Sequence, residues 1–128
     1  LFQVSFRIVQ EQSLSQLLPY PNPFTTDCRF VYTLTGREEP AYFSIQIMTV
    51  SGQLVKEISQ NEFGAMRIGT HLSDYVWNGT DQYGDQLANG VYLYRVLAKD
   101  VQGKSIKLFS SAADPFFDKG FGKIVLLR

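Results

Sequence analysis

Apolar and polar residues alternate with a period of two along most of this 128-residue chain. Over residues 90–100, for example, Tyr92 and Tyr94 alternate with Leu93 and Arg95. A period of two places successive side chains on opposite faces of a β-strand, whereas a helix requires a period near 3.6. Because a helical period is almost absent, this pattern restricts the chain to an all-β fold.

Short segments rich in β-branched and aromatic residues, which favour pleated and half-buried surfaces, carry the alternation. Turn signals such as Ser51-Gly52 and Gln102-Gly103 separate them. The predicted strands are 1–9, 28–35, 42–50, 53–59, 74–79, 90–100, 104–110 and 122–128. Strands of this length and spacing predict an Ig-like antiparallel β-sandwich of about seven strands, with at most one short helix near 114–120.

The segment LPYPNPFTT, residues 18–26, contains three prolines. Leu18, Tyr20 and Asn22 each precede a proline, which favours an extended backbone at all three positions. Proline cannot donate to a strand ladder and is therefore found at edges and strand starts. We expect a stiff lead-in strand that crosses a sheet edge, with Phe24 entering the core.

The polar segment 10–17 interrupts the alternation and is interpreted as a linker. It separates residues 1–9, interpreted as the last strand of a preceding module, from residues 18–128, interpreted as an Ig-like C-terminal β-sandwich domain. Because the chain begins at Leu1 rather than at methionine, we expect it to be a fragment of a longer protein. No apolar run approaches the roughly 20 residues of a transmembrane helix, so no membrane span is expected.

Charge and cysteine content argue against several function classes. The chain has 12 basic and 12 acidic residues, giving a formal net charge of zero, so a nucleic-acid partner is not expected. Cys28 is the only cysteine, which excludes an intramolecular disulfide and a cysteine-based metal site. We expect Cys28 to be a small core residue.

Catalytic residues are not predicted in this segment. Ser73 and Asp74 lie close to His71, the only histidine, but combinations of this kind arise by chance in any chain. No Gly-x-Ser-x-Gly context supports a nucleophile, and a zinc site would need three or four good ligands. We therefore predict no enzymatic activity, no cofactor and no metal site in these residues.

Asp81 and Asp85 flank Gly84 in a polar loop and are the calcium candidates of the sequence. The alternative is a turn in which aspartate side chains bind nearby backbone amides. The chain has no Asp-x-Asp-x-Asp-Gly run, so the turn is the preferred interpretation.

Three large aromatic residues allow competing interpretations. Trp77 could form a ligand platform, but its neighbours favour a core position, as a tryptophan has in many sandwiches. Tyr92 and Tyr94 share one strand face and are expected to bury their rings. Each buried hydroxyl then needs a hydrogen-bond partner, and one could fasten a loop as a tyrosine corner does.

Four motifs together resemble one family, the Ig-like domain first associated with the flagellar hook-capping protein. The motifs are YPNPF at 20–24, IQIMTVSGQLVKEI at 45–58, WNGTDQYGDQLANGVYLYRV at 77–96 and GKIVLLR at 122–128. Related domains resemble the C-terminal sorting domains of the type IX secretion system in Bacteroidetes, including tails of large gingipain-like and sortase-related surface proteins. The chain departs from that pattern at Asn78, where the family has aspartate, and by an insertion over 110–122.

The resemblance implies a secreted or cell-surface parent, which could be a cysteine peptidase whose catalytic residues lie outside this segment. The module itself would mediate type IX secretion, anchoring or docking through contact with the secretion machinery or with neighbouring domains. We expect it to be a monomer in isolation. The candidate partner-binding residues are Leu93, Arg95, Leu97, Lys123, Val125, Leu127 and Arg128. The alternative is a structural or adhesive Ig-like module that packs on a neighbouring domain or binds carbohydrate.

Overall fold

The computed structural model describes residues 13–36, 39–109 and 121–128, which form two four-stranded β-sheets around one core. The elements are β1 (Ser13–Tyr20), β2 (Arg29–Thr35), β3 (Tyr42–Thr49), β4 (Leu54–Ser59), α1 (Gln60–Phe63), β5 (Gly69–Leu72), β6 (Gly90–Lys99), β7 (Lys107–Phe109) and β8 (Gly122–Leu126). Sheet A has the order β5-β2-β1-β7 and sheet B the order β4-β3-β6-β8. Neighbouring strands are antiparallel, apart from the parallel pair β1 and β7. The predicted all-β sandwich is confirmed.

Aromatic side chains from both sheets fill the space between them, because alternate residues of each strand point inward. The rings of Phe30 in β2 and Tyr94 in β6 meet edge to face at 6.0 Å and join the two sheets. Phe63 of α1 packs 4.8 Å from the ring of Phe43 and closes one end of the core. The largest fully buried side chains are Trp77, Tyr32, Tyr94, Phe24, Phe30, Phe43 and Phe63. The core positions expected for Trp77, Tyr94 and Phe24 are confirmed.

Buried polar atoms of the aromatic residues find backbone partners, as expected. The Tyr92 hydroxyl donates to the carbonyl of Ala88 at 2.6 Å, four residues upstream, which is the arrangement of a tyrosine corner. The Tyr94 hydroxyl donates to the carbonyl of Leu17 at 2.8 Å and so ties β6 to β1. The predicted fastening of a loop by one of these hydroxyls is confirmed.

The linker predicted over 10–17 is wrong in its described part, which belongs to β1. This part pairs with both β2 and β7, and Leu14 and Leu17 are buried. The pairing register shifts between Ser15 and Leu18, and such a bulge moves side chains to the other face of the strand. The bulge explains why no continuous alternation was visible in the sequence.

The short helix α1 was not predicted; the helix expected near 114–120 lies outside the described residues. α1 begins with a capping box, in which Ser59 accepts from the backbone of Glu62 and the Glu62 carboxylate accepts from the backbone of Ser59. Phe63 is its buried residue. The Ser-x-x-Glu spacing could have indicated the helix from the sequence.

The strand predicted over 74–79 is also wrong, since only Trp77 forms a bridge there, with Cys28. The ladder with β2 lies earlier in the chain, at β5. The strand predicted over 1–9 lies outside the described residues, and the division into modules stays a prediction. Among the helices of the described residues, none is long and apolar enough to cross a membrane.

Candidate docking surface

The outward-facing residues of β6 form the first part of the candidate surface. Tyr92, Tyr94, Val96 and Ala98 point into the core, so the intervening residues point away from it. Leu93 and Leu97 are half-buried on the outer side, whereas Arg95 is exposed. The predicted division of this strand into a core face and an outer face is confirmed. We call the outer residues Leu93, Arg95 and Leu97 the β6 face.

Neighbouring strands hold Arg95 in place. Its Nη2 donates to Oε1 of Gln46, directly opposite on β3, at 2.8 Å. Its guanidinium carbon also lies 5.7 Å from the centre of the Phe121 ring, within cation–π range. Lys99 and Lys123 lie on the same side of sheet B by register. The β6 face is therefore apolar at its two leucines, with Arg95, Lys99 and Lys123 as cations beside them. Glu57 of β4 lies on the same side beyond Gln46.

The C-terminal strand β8 lies beside β6, but its outer edge is already occupied. Phe24 N–H donates to the carbonyl of Val125, and Leu127 N–H donates to the carbonyl of Phe24, both at 2.9 Å. The side chain of Asn22 continues this pattern: its Nδ2 donates to the carbonyl of Lys123 at 2.9 Å, and its Oδ1 accepts from Val125 N–H at 2.8 Å. An added strand cannot pair with this edge; a partner can reach only the side chains of Lys123 and Leu127, which are exposed, and of half-buried Val125.

Arg128 binds within the domain rather than extending from it. Its Nη1 donates to the carbonyl of Leu87 at 2.6 Å, and its Nη2 donates to the carbonyls of Asn78 and Gly79 at 3.1 and 3.0 Å. Its backbone exchanges two hydrogen bonds with the side chain of Asn89. Gly79 has a φ of +77°, and a Cβ there would lie 2.7 Å from Arg128 Nη2. Arg128 thus fastens the end of β8 to the connection between β5 and β6. The partner contact predicted for Arg128 stays a prediction.

The opposite edge of sheet B, at β4, is closed in a similar way by Gln82. Gln82 N–H donates to the carbonyl of Val55 at 2.9 Å, and its Oε1 accepts from Glu57 N–H at 3.0 Å. An amide side chain therefore occupies part of each outer edge of sheet B. Such covering hinders pairing with other chains.

The calcium candidates Asp81 and Asp85 lie in a tight loop. Oδ1 of Asp81 accepts from the backbone N–H groups of Tyr83 and Asp85, both at 2.9 Å. Asp100 makes the same two contacts with Gln102 and Lys104, also at 2.9 Å. The second loop has Lys104 at the position that Asp85 occupies in the first, and its aspartate still makes the same two hydrogen bonds. These hydrogen bonds therefore close the loop in both cases. The described residues contain no cluster of three or more His, Cys, Asp or Glu side chains suited to a metal ion.

His71 and Ser73 lie on neighbouring positions but do not form a nucleophile–base pair. Nε2 of His71 lies 2.9 Å from the carbonyl oxygen of Ile68. Ser73 is buried; its hydroxyl donates to the carbonyl of Tyr75 at 2.8 Å and accepts from Phe30 N–H at 3.0 Å. These contacts give both side chains a structural role.

Burial, and to a smaller extent the negative charge of Asp27, raise the pKa of Cys28 from 9.0 to about 12. The thiol is free and buried. The predicted core position of Cys28 is confirmed, and its thiol is poorly suited to nucleophilic chemistry because the thiolate is the reactive form.

An open groove of about 750 Å³ runs along the β4 edge. Leu54, Tyr42 and Tyr83 line it together with polar side chains, including Gln53 and Glu57. Tyr83 is 89% exposed, so its ring is presented to solvent. Trp77, the aromatic platform considered from the sequence, is buried, and its Nε1 donates to the carbonyl of Thr80 at 3.0 Å.

The sequence pattern located the outward residues of β6 but missed the residues that close the sheet edges. Asn22 and Gln82 appear in the sequence as ordinary loop residues. The proline-flanked context of Asn22 was a signal for an extended backbone at an edge, although not for the hydrogen bonds of its side chain. No sequence signal identifies Gln82.

The fold and these surfaces define an all-β sandwich whose outer face, rather than an internal cleft, is the candidate site. No protein-family model matches the chain, and no curated protein matches it. Among solved structures, it is similar to dimeric latent PorU from Porphyromonas gingivalis, with 20% identity and a TM-score of 0.47. The similarity covers 74% of this chain and 9% of that chain, so this chain spans a small part of that protein's length. Likeness at this level does not assign a function.

Proposed function

We propose that this chain is a non-catalytic module of a larger secreted or cell-surface protein, and that it serves type IX secretion, anchoring or docking of its parent by protein–protein contact. The β6 face carries the proposal. Its two leucines and the cations Arg95, Lys99 and Lys123 would suit a partner surface that combines apolar and acidic residues.

Two further observations support this proposal. The motifs at 20–24, 45–58, 77–96 and 122–128 resemble those of C-terminal sorting domains. The backbone edge of β8 is filled by Asn22 and Phe24, so recognition would depend on side chains of the folded surface.

The test fuses the full chain to a secreted reporter in a host that has a type IX secretion system. Deletion of residues 122–128 would remove β8 from sheet B, so a loss of export would not distinguish recognition from misfolding. Charge reversal on the surface is a sharper test. Arg95→Glu combined with Lys123→Glu changes the β6 face and its flank, and Arg29→Glu combined with Lys104→Glu changes two exposed cations elsewhere as a matched control.

We expect the unchanged fusion and the control to be exported, and the Arg95/Lys123 variant to accumulate inside the cell with an unchanged melting temperature. Retention of the unchanged fusion would overturn the role in export. Equal export of all three fusions would instead show that the β6 face is not the recognition surface.

Carbohydrate binding is a second candidate function, favoured by the groove along β4. Exposed tyrosine rings beside amide and carboxylate groups are typical of sugar-binding surfaces, and Tyr42 and Tyr83 have this setting. A glycan array would test it. We expect a positive signal to be lost in Tyr83→Ala and retained in Tyr20→Ala, which removes another exposed tyrosine; a blank array would contradict this function.

A further inference from the structure

The connection between β5 and β6 contains two asparagines that are followed directly by glycine, Asn78-Gly79 and Asn89-Gly90. In such a pair the backbone nitrogen of the glycine can attack the side-chain carbonyl carbon of the asparagine, because glycine has no Cβ to hinder the approach. Both asparagines are exposed, so access to solvent does not distinguish them. Their hydrogen bonds do.

The side chain of Asn89 is held at both of its polar atoms. Oδ1 accepts from Arg128 N–H at 2.9 Å, and Nδ2 donates to the carbonyl of Arg128 at 3.3 Å. Gly90 begins β6, where it pairs with Leu126. Attack by the Gly90 nitrogen would require the Asn89 amide to leave these partners, so the fold protects this pair.

The side chain of Asn78 is held only at its carbonyl oxygen. Oδ1 accepts from the hydroxyl of Thr80 at 2.7 Å, which turns the side chain towards the residues that follow it and brings Cγ towards the Gly79 nitrogen. Within the described residues, neither Nδ2 of Asn78 nor the backbone N–H of Gly79 has a hydrogen-bond partner. A hydroxyl donor on Oδ1 also stabilises the negative charge that develops there during attack.

Arg128 acts on the attacking nitrogen of the same pair. The peptide unit that joins Asn78 to Gly79 has its carbonyl oxygen 3.1 Å from Nη2 of Arg128. When the N–H of this unit loses its proton, the negative charge is shared with that oxygen, so the guanidinium favours the deprotonated form. The close approach of Nη2 also requires glycine at 79, where a Cβ would lie 2.7 Å away. The contact that demands glycine therefore also activates its nitrogen.

We propose that Asn78 is a site of spontaneous modification, promoted by Thr80 and Arg128. The Gly79 nitrogen forms a bond to Cγ of Asn78, the bond from Cγ to Nδ2 breaks, and Nδ2 leaves as ammonia with the proton that the Gly79 nitrogen has lost. Water then opens the cyclic imide at either carbonyl and leaves aspartate or isoaspartate. Asn78, Thr80 and Arg128 line an open hollow of about 540 Å³, so water reaches the site.

The modification adds one negative charge beside the guanidinium of Arg128. In the isoaspartate product, the new carboxylate contains the former backbone carbonyl oxygen of Asn78, which is the atom that Nη2 already binds. The product therefore forms an ion pair where the unmodified chain has a hydrogen bond. This proposal is independent of the export function.

The experiment follows the mass of the full chain at pH 8, folded and in concentrated urea. Asn78 and Asn89 lie in one tryptic peptide, 68–95, so fragmentation of that peptide compares the two sites directly. We expect the folded chain to gain one dalton at Asn78 while Asn89 stays intact, and the urea-unfolded chain to react at both sites at similar rates. Folded chain that reacts equally at both sites, or that keeps Asn78 intact while the unfolded chain reacts, would overturn the proposal.

A second measurement tests the role of Thr80 as a positioning residue. Thr80→Val removes the hydroxyl and keeps a branched side chain, so we expect the folded chain to react about five-fold more slowly, the effect of one neutral hydrogen bond. Thr80→Ser retains the hydroxyl and should react like the unchanged chain, and all three should react alike in urea. Equal rates for the folded valine variant and the folded unchanged chain would refute the proposal, because the reaction would then not depend on the hydroxyl.

Discussion

The side-chain amide of Asn22 hydrogen-bonds the backbone beside Val125 in the way a neighbouring strand would. Its Oδ1 accepts from Val125 N–H at 2.8 Å, and its Nδ2 donates to the carbonyl of Lys123 at 2.9 Å. An amide carries one acceptor and one donor group, like a peptide unit, so it can replace one step of a ladder. This contact joins residues far apart in the chain and holds β8 in place at the edge of sheet B.

Replacement of Asn22 should loosen the C-terminal strand. Asn22→Ala removes both hydrogen bonds and leaves a backbone donor and acceptor without their partner, so we expect the free energy of unfolding to fall by about 1–3 kcal/mol. Asn22→Asp keeps an acceptor for Val125 N–H but loses the donor to Lys123, and should cost less. Urea denaturation measures both, and hydrogen exchange at Val125 should increase most in Asn22→Ala. Unchanged exchange at Val125 would contradict the edge-closing role.

The guanidinium of Arg128 should contribute to stability through shape as well as charge. It donates to three carbonyl groups of the connection between β5 and β6, which a lysine ammonium on a flexible stem reproduces poorly. We expect Arg128→Lys to lower the free energy of unfolding by about 1 kcal/mol and Arg128→Ala by somewhat more. Arg67→Lys, at an exposed arginine without such contacts, is the control. A lysine variant as stable as the unchanged chain would show that charge alone is sufficient.

The alternation of apolar and polar residues in the sequence predicts part of this fold. It does not predict the features that depend on hydrogen bonds between residues far apart in the chain. Strand β6 and its outer residues followed from a period of two, and the burial of Phe24 followed from its proline-rich context. Strand β1 was missed because a bulge reverses its alternation after Ser15. The edge-closing roles of Asn22 and Gln82 depend on which residues the fold brings near them, and no local pattern contains that information.

The Cys28 thiol should be protected from reagents while the chain is folded. Burial, and then Asp27, raise the pKa of the thiol from 9.0 to about 12, so little thiolate forms in the native state below that pH. We expect a thiol-specific reagent at pH 8 to label Cys28 only as fast as the chain unfolds. Measurement of the labelling rate with increasing urea tests this; rapid labelling without denaturant would contradict it.

The same pKa shift predicts a loss of stability at high pH. Because the folded chain holds the proton more tightly than the unfolded chain, this group does not oppose folding below pH 9.0. As the pH rises from 9.0 towards about 12, the unfolded chain gains the thiolate and stability declines. Cys28→Ala should remove this part of the pH dependence in thermal melts, even though it creates a small cavity and lowers stability at neutral pH.

The close packing of Gly122 against Tyr94 predicts a coupled pair. A Cβ at Gly122 would lie 2.4 Å from two atoms of the Tyr94 ring, and that ring is fully buried. Gly122→Ala should therefore cost about 1–3 kcal/mol by overpacking. Tyr94→Leu should lower stability as well, but in that background Gly122→Ala should cost much less, since the ring is gone. A double-mutant cycle in urea measures the coupling, and additive effects would show that the ring does not set the requirement for glycine.

The loop around Asp81 gives a test that separates turn formation from calcium binding. Oδ1 of Asp81 accepts from two backbone amides, and an asparagine oxygen can accept the same two hydrogen bonds. Asp81→Asn should therefore preserve the melting temperature, whereas Asp81→Ala should lower the free energy of unfolding by about 1–2 kcal/mol because both amides lose their acceptor. Asp100→Asn and Asp100→Ala should behave in the same way, since Asp100 makes equivalent contacts in a loop that ends in Lys104.

A calcium site would behave differently, because the metal requires the carboxylate charge and stabilises the state that binds it. Thermal melts with calcium and with a chelator should coincide for the unchanged chain; a rise with calcium that Asp81→Asn abolishes would replace the turn interpretation with a metal site.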